Sequence, residues 1–367
     1  MKKIGIITLF GYNNYGNRLQ MFAVQQVYKS LGFDSEIIKY ELKSPKDPFI
    51  IRIKVFVHYL LFLRTNLKID YLKYHRISSF KKHAKLHYKE SSEINPLNID
   101  KNFYQNYSFF SVGSDQIWGW FIHRIADFVF LKFAPKEKRI AFSPSFGSST
   151  IDEKYRNKFS EGLNGFTFLS VREESGAEII KNFAGQEAMV ICDPTMCISK
   201  TEWLAFSTIH KRKPKGKYIL TYFLGEPSEN VKTILNQFYK DFEIVELNSL
   251  KTPRYYAIDP SEFVDFIDDA HLFLTDSFHG IVFSIILKTP FAVYSRIGGE
   301  DMQTRITNIL DKFSLQNRFE ITLNDDSIFK MDFSKTEEII ETEKSKVFEL
   351  IFKPIEIQRL FKINDNQ

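Results

Sequence analysis

Leu272-Phe-Leu-Thr-Asp-Ser-Phe-His-Gly-Ile-Val-Phe-Ser-Ile-Ile-Leu-Lys-Thr-Pro-Phe291 sets the reading of this chain. The pattern predicts a short buried strand at Leu272–Leu274, a polar turn at Thr275–Gly280 and an apolar helix over Ile281–Leu287 that stops before Pro290. A strand that feeds a helix through a tight polar turn puts the turn at the carboxyl edge of a parallel sheet, where open α/β proteins bind ligands. The start of the helix offers free N–H groups and the positive end of its dipole, which suit an anion. His279 stands there with a titratable ring. A plain strand-helix joint with a capping His fits this turn equally, so the rest of the chain has to decide.

Outward from this stretch, strands and helices alternate. Tyr218–Phe223, Glu243–Leu247 and Phe291–Tyr294 read as strands; Glu226–Tyr239, Ser261–Asp269 and Gln303–Phe313 read as helices. Asp332–Asn364 reads as helical and long enough to cross back to the first half. The basic, Pro/Gly-broken connector Lys211–Lys217 is the expected domain boundary. The expected domains are therefore 1–210, 211–335 and a C-terminal helix in 336–367.

The first half opens with strand Lys3–Leu9, loop Phe10–Asn17, helix Arg18–Leu31 and strand Ser35–Tyr40, a βαβ unit that calls for a parallel sheet. The loop is not G-x-G-x-x-G, so no dinucleotide fingerprint is present. Pro45–Pro48 breaks the pattern. Four strands then run into polar, Gly- or Pro-bearing turns: Phe109–Val112, Lys138–Phe142, Phe166–Val171 and Ala188–Cys192. Repeated strand-edge loops of this kind converge on one rim of a sheet.

Bulk properties narrow the class. A chain of 367 residues suits two domains, and 44% hydrophobic with 26% charged residues is ordinary for a folded soluble protein. Cys192 and Cys197 allow no disulfide framework and no zinc spacing, which fits a reducing cytosol and a cytoplasmic location. MKKIGIITLF is too short in its apolar run for a signal peptide and reads as the first strand. A net charge of +5 is too mild to argue for nucleic acid. The charge is unevenly placed: Arg52–Lys89 holds ten Lys/Arg and one acid, Asp70, around the apolar core Val55–Leu63, which is too short to span a bilayer. Two readings of this basic helical insertion, about 50–90, stay open. One is a solvated basic face. The other is a peripheral surface that meets an anionic membrane or an anionic, lipid-linked substrate.

The candidate rim residues are Asn13, Asn14, Asn17, Asp115, Gln116, Trp118, Arg172, Glu173, Asp193, Asp276, Ser277, His279, Arg296 and Arg305. They come from both halves, so a cleft between domains is the natural site. The set lacks a G-x-S-x-G elbow, a P-loop and any metal-ligand spacing. Arg binds carboxylate and phosphate through paired N–H groups. His279 is the group most able to change protonation near neutral pH. Together they point to an anionic donor and proton transfer, with no cofactor and no metal. Plain structural roles stand beside each residue: Asp193-Pro194 as a turn, Trp118 as packing, Arg172 paired with a neighbouring Glu.

GYNNYGNRLQ at 11–20, SVGSDQIW at 111–118, AFSPSFG at 141–147, LSVREESG at 169–176, DPTM at 193–196 and TDSFHGIVFSIILKTPF at 275–291 occur in that order. In this the chain resembles the polysaccharide pyruvyl transferase family, from about Ile4 to Leu310 and excluding the basic insertion. The resemblance implies two Rossmann-like domains in a GT-B-like arrangement with a central cleft. It also implies transfer of a pyruvyl group from phosphoenolpyruvate to a sugar of a bacterial-type surface polysaccharide or its precursor, as a cyclic ketal. In many members the His follows Arg-Leu, whereas here it follows Ser277-Phe278. That departure removes one anion-binding Arg, and Arg296 and Arg305 are the downstream arginines in a position to replace it.

The combined expectation makes His279 the general acid, Arg172 an anion-binding catalytic residue and Asp115 the group that orients or deprotonates a sugar hydroxyl. Ser277 and Gly280 at the helix start, with Arg296 and Arg305, would hold the donor. Asn13, Asn14, Asn17, Gln116 and Trp118 would line the sugar side. Two rivals remain: a GT-B glycosyltransferase using a nucleotide sugar, and a non-catalytic glycan- or membrane-binding component of polysaccharide assembly.

Overall fold

The computed structural model describes residues 3–40, 49–100, 102–119, 125–166, 168–298, 303–322, 326–353 and 355. The expected break at Pro45–Pro48, Thr167 in the expected Phe166–Val171 strand, and positions 354 and 356–364 of the expected Asp332–Asn364 helix lie outside these residues, as do the side chains of 49–67 in the basic insertion.

The first half runs β1 (Lys3–Ile7), α1 (Tyr15–Ser30), β2 (Asp34–Ile37), α2 (Phe49–His87), β3 (Phe109–Val112), α3 (Ala126–Val129), β4 (Arg139–Ala141), α4 (Arg156–Leu163), β5 (Phe168–Val171), α5 (Glu174–Ala184), β6 (Met189–Val190) and α6 (Lys200–Phe206). The second half runs β7 (Tyr218–Tyr222), α7 (Glu229–Phe238), β8 (Glu243–Glu246), α8 (Pro260–Asp268), β9 (Leu272–Thr275), α9 (Phe278–Leu287), β10 (Phe291–Val293), α10 (Gln303–Lys312) and α11 (Thr336–Val347).

Among the described residues ten strands form two sheets. The order is β2-β1-β3-β4-β5-β6 in one and β10-β9-β7-β8 in the other, and every paired neighbour is parallel. This is the two-unit α/β architecture that the strand-helix alternation calls for. Each order contains a reversal. The chain leaves β1 toward β2 and returns to β3 on the other side; it leaves β7 toward β8 and returns to β9. Loops on either side of such a reversal splay apart and leave a crevice at the carboxyl ends of the strands. The loops in question are those after β1 and β3, and those after β7 and β9.

Local chemistry fixes the element ends. The Asn14 side chain caps α1 by accepting from the Asn17 N–H (3.1 Å), so the helix starts at Tyr15, ahead of the expected Arg18. Ser228 caps α7 by accepting from the Val231 N–H, which delays its start to Glu229. Ser199 and Glu202 form a capping box that opens α6, a helix the hydrophobic periodicity did not mark. The basic insertion is one continuous helix, α2. No helix among the described residues is long and apolar enough to cross a membrane.

Every residue of α9 is buried. A helix that is apolar on all sides needs a partner on all sides, and α9 packs against α8 and β9 of its own half and against α1 of the other. The halves are tied elsewhere as well. The Tyr15 ring stacks on Phe263 (centroids 4.4 Å apart, planes 9°). Arg76 of α2, which the sequence reading counted among surface charges, is 3% exposed. It donates to the Asn13 carbonyl (2.9 Å), the Tyr256 carbonyl (3.0 Å) and the Asn248 Oδ1 (3.2 Å), with its guanidinium 4.7 Å from the Tyr15 ring centroid. Beyond α11, the Phe352 ring lies against Tyr28 and Phe142 of the first half.

Candidate functional site

The crevices of the two sheets face each other. From the first, α1 brings Gly16 and Asn17, and the loop after β3 brings Asp115. Asp115 sits in the left-handed region (φ 64°), which Asp tolerates better than most residues. The Asn17 side-chain amide donates to its Oδ2 at 2.6 Å. From the second sheet, the turn after β9 places His279 in the first turn of α9, against the backbone of Gly16. A methyl group at Gly16 would lie 2.1 Å from His279 Nδ1, so only glycine leaves room for this ring.

A cluster of buried charges joins these loops. Arg172, at the end of β5, places Nη1 2.9 Å from Asp193 Oδ2 and 3.7 Å from Asp115 Oδ1, and its Nε donates to Glu173 Oε1 at 2.9 Å. His279 Nε2 lies 3.5 Å from the same Asp193 Oδ2. Arg305 of α10 reaches across from the second half, its Nε 3.3 Å from Glu173 Oε1. The Phe278 ring is a shared apolar wall, with guanidinium carbons of Arg172 and Arg305 at 4.3 and 5.1 Å from its centroid. His279 Nε2 and Arg172 Nη2 are both buried and make no hydrogen bond among the described residues. Buried polar atoms of this kind are costly unless something completes them.

The electrostatics follow from this packing. Burial alone would raise the Asp193 carboxyl. Contact with His279, the Arg172 charge and the Thr195 hydroxyl outweigh it and hold the group well below the usual carboxylate range. For Arg172, burial works against the charge, but Glu173, Asp193 and Asp115 more than compensate and push it up. Arg305 has less support: burial first, and the Arg172 charge next, bring it down to about 10.

The other expected residues are placed as follows. Asn14 is spent on capping α1, and Asn13 is exposed one position before it. Gln116 packs against Gly147, whose φ is +72° and whose missing side chain makes room for it. Trp118 corrects the expectation of a sugar-side residue. It is wholly buried among Phe130, Phe146 and Phe166, and its Nε1–H donates to the Val129 carbonyl, so no face is open to a ligand. Ser277 caps α9, and its hydroxyl accepts from the Gly280 N–H, which removes that donor from the pool expected to hold an anion. Arg296 turns to Asp276 (3.2 Å), whose carboxylate also accepts from the Leu224 and Gly225 N–H groups and so links the loops after β7 and β9. Of the two candidate replacement arginines, Arg305 is the one in contact with the Arg172 cluster.

Asp193, set beside a plain turn reading, and Glu173, set beside a plain pairing with Arg172, prove central. Gly16 was not singled out at all, and Phe278 was noted only as part of the Ser277-Phe278 pair before His279. The sequence signal for Asp193 was present in its place at the end of a strand. For Gly16 there was none, because its role depends on a ring from the other half of the chain. Two small recesses border the cluster. One of about 50 Å³ is lined by Arg172, Asp193, Phe278 and Arg305, among others, and one of about 140 Å³ by Glu173, Arg305 and the hydroxyl-bearing Ser148, Ser149, Ser175 and Thr304. Among the described residues no three His, Cys, Asp or Glu side chains are grouped to hold a metal ion.

Two parallel sheets, with an imidazole, guanidiniums and carboxylates buried between their crevices, define an α/β protein of two sheet-bearing halves. The profile of the family described as polysaccharide pyruvyl transferase matches residues 14–297, and the chain belongs to that family. No curated protein matches the chain. Among solved structures, it is similar to S. aureus MnaA in its UDP co-structure (12% identity, 95% of this chain and 91% of the other, TM-score 0.47). It is also similar to the UDP-GlcNAc 2-epimerase of Methanocaldococcus jannaschii (12%, 93% and 99%, TM-score 0.45) and to E. coli ADP-heptose lps heptosyltransferase II (8%, 94% and 99%, TM-score 0.35).

Proposed function

We propose that this protein transfers a pyruvyl group from phosphoenolpyruvate to a sugar of a surface polysaccharide or its precursor, closing a cyclic ketal. The observation that carries the reading is the convergence of His279 Nε2 and Arg172 on one oxygen of Asp193, with Nε2 and Arg172 Nη2 both buried and lacking a hydrogen-bond partner among the described residues. Arg172 and Arg305 hold the donor's anionic groups. His279, protonated, gives its proton to the methylene carbon of the enol, which becomes the methyl group. The cationic carbon left behind accepts a sugar hydroxyl oriented by Asp115, and that hydroxyl's proton returns to the imidazole. A second hydroxyl of the same sugar then displaces phosphate, which leaves with that hydroxyl's proton as hydrogen phosphate, and closes the ring. Asp193, 3.5 Å from Nε2, keeps the imidazole oriented.

Saturating phosphoenolpyruvate should stabilise the fold by about 2–4 kcal/mol, readable as a rise in melting temperature, and phosphate should be released once a glycan acceptor is added. Stabilisation by a nucleoside diphosphate with no response to phosphoenolpyruvate would overturn the reading in favour of a nucleotide-sugar transferase.

The seat of His279 supplies a second test. Gly16→Ala should displace the imidazole and slow phosphate release by about 100-fold, the cost of a displacement of roughly 1 Å at a reacting group. Circular dichroism should stay that of the wild type. Full activity in this variant would mean that the ring does not act from the position described.

A further inference from the structure

On the outer side of the β1–α1 loop lies a recess of about 650 Å³, lined by Phe10, Tyr12, Tyr40, Lys39, Lys81 and Lys85 among others. A second recess of about 340 Å³ continues from it along α2, sharing Lys81 and Lys85 and adding Lys82. None of these four lysines forms a salt bridge among the described residues, and Lys81, Lys82 and Lys85 are exposed. Two acids also line the larger recess. Glu90 is engaged by Arg18 (3.4 Å), which leaves Glu93 as the single unengaged acid lining it, against its three lysines, Lys39, Lys81 and Lys85.

The wall behind the lysines is prearranged. Arg18 packs its guanidinium 4.1 Å from the Tyr12 ring and 4.8 Å from Phe10, and its Nε donates to the Gly11 carbonyl at 2.6 Å. Lys81 Nζ stands 5.4 Å from the Tyr12 ring, and Lys39 Nζ 5.9 Å from Phe10. Aromatic faces with ammonium groups at their rim suit a ligand that is part apolar or sugar and part polyanion.

The position matters as much as the charge. Asn13 lines the recess, Gly16 carries the His279 ring and Asn17 holds Asp115. Asn13 and Asn17 are four positions apart, at most about 14 Å of chain. The recess and the cluster are thus lined by successive parts of one loop-helix junction.

We propose that this recess is the diphosphate subsite of the acceptor. The sugar is presented as a glycosyl diphosphate ester, with its phosphates on Lys39, Lys81 and Lys85 and its hydroxyls turned toward Asp115 and His279. The naming of the anion's carrier as an acceptor sugar rests on the pyruvyl-transfer reading; the diphosphate subsite itself does not.

Calorimetric titration with inorganic pyrophosphate tests it on the full chain. The wild type should bind, and the triple variant Lys39→Ala, Lys81→Ala, Lys85→Ala should lose at least about tenfold in affinity, because ammonium–phosphate contacts are charge-assisted. The melting temperature and its response to phosphoenolpyruvate should be unchanged, since these lysines lie outside the donor cluster. Uridine diphosphate and geranyl diphosphate then separate a nucleotide from an isoprenoid carrier by which of them binds more tightly in a lysine-dependent way. Equal pyrophosphate affinity in wild type and variant, or none in the wild type, overturns the proposal. So does lysine-dependent sedimentation with phosphatidylglycerol vesicles in the absence of pyrophosphate binding, which would make the recess part of a membrane surface. No arm depends on turnover, so failure of the pyruvyl-transfer reading and failure of this subsite are told apart.

Discussion

His279→Gln should reduce phosphate release from phosphoenolpyruvate by about 10²–10⁴-fold, the usual contribution of a positioned acid, while leaving stabilisation by phosphoenolpyruvate in place. Glutamine keeps a planar polar group on the same helical turn and can still fill the space against Gly16, but it cannot carry a proton between donor carbon and sugar hydroxyl. The fold should tolerate the change. The Asp193 carboxylate loses the imidazole 3.5 Å away but keeps Arg172 and the Thr195 hydroxyl as partners. Single-turnover measurement with saturating donor separates the chemical step from binding. A variant within tenfold of wild type in that step would remove His279 from the proton transfer and shift the search to Asp115.

Arg172→Met should be the most damaging single change to the fold. Arg172 Nη1 and Nε lie within 4 Å of three buried carboxylates, Asp115, Glu173 and Asp193. Removing one partner of a buried pair leaves the other charge without compensation and costs about 3–5 kcal/mol. The pH dependence identifies the cause. Asp193 is held low in the folded protein, so its contribution is present above the carboxyl pKa of the unfolded chain and is lost as pH falls through the folded value. Without Arg172 that contribution shrinks. The gap in urea-unfolding free energy between wild type and variant should therefore be widest near neutrality and narrow below pH about 4, where unfolded carboxylates take up protons. A gap of constant size from pH 7 to pH 3 would assign the loss to packing against Phe278 rather than to charge.

Much of the architecture was legible because parallel strands buried on both faces leave short apolar runs, and the turns after them carry the polar residues. Leu272–Leu274 and its polar turn could be placed on a sheet edge from the pattern alone. Arg172, Asp115, Asn17 and His279 could be grouped because each stands just beyond such a run. What could not be read is pairing across the halves. Nothing in the local sequence tells Arg305 from Arg296, yet Arg305 meets Glu173 while Arg296 folds back onto Asp276. Trp118 stands in a loop motif beside Asp115 and Gln116, and only the positions of Phe130, Phe146 and Phe166 show that it belongs to the core. Arg76 looked like one more charge on a basic helix because its three acceptors lie 63 to 180 residues away.

That buried arginine constrains how the molecule can move. It ties Asn13 of the first half to Asn248 and Tyr256 of the second through one guanidinium, beside the stacked Tyr15 and Phe263 rings. Parting the halves there would break three hydrogen bonds and an aromatic stack together. Elsewhere on the seam, Arg305 Nε lies 3.3 Å from Glu173 Oε1. Arg76 is therefore a rivet through the seam: one side chain fixes the loop that begins α1 to two loops of the second half, so a shift of either half is carried to the other at this point. The loop that it fixes is the one that leads into Gly16 and Asn17, so the seat of the His279 ring and the partner of Asp115 are braced from the second half of the chain.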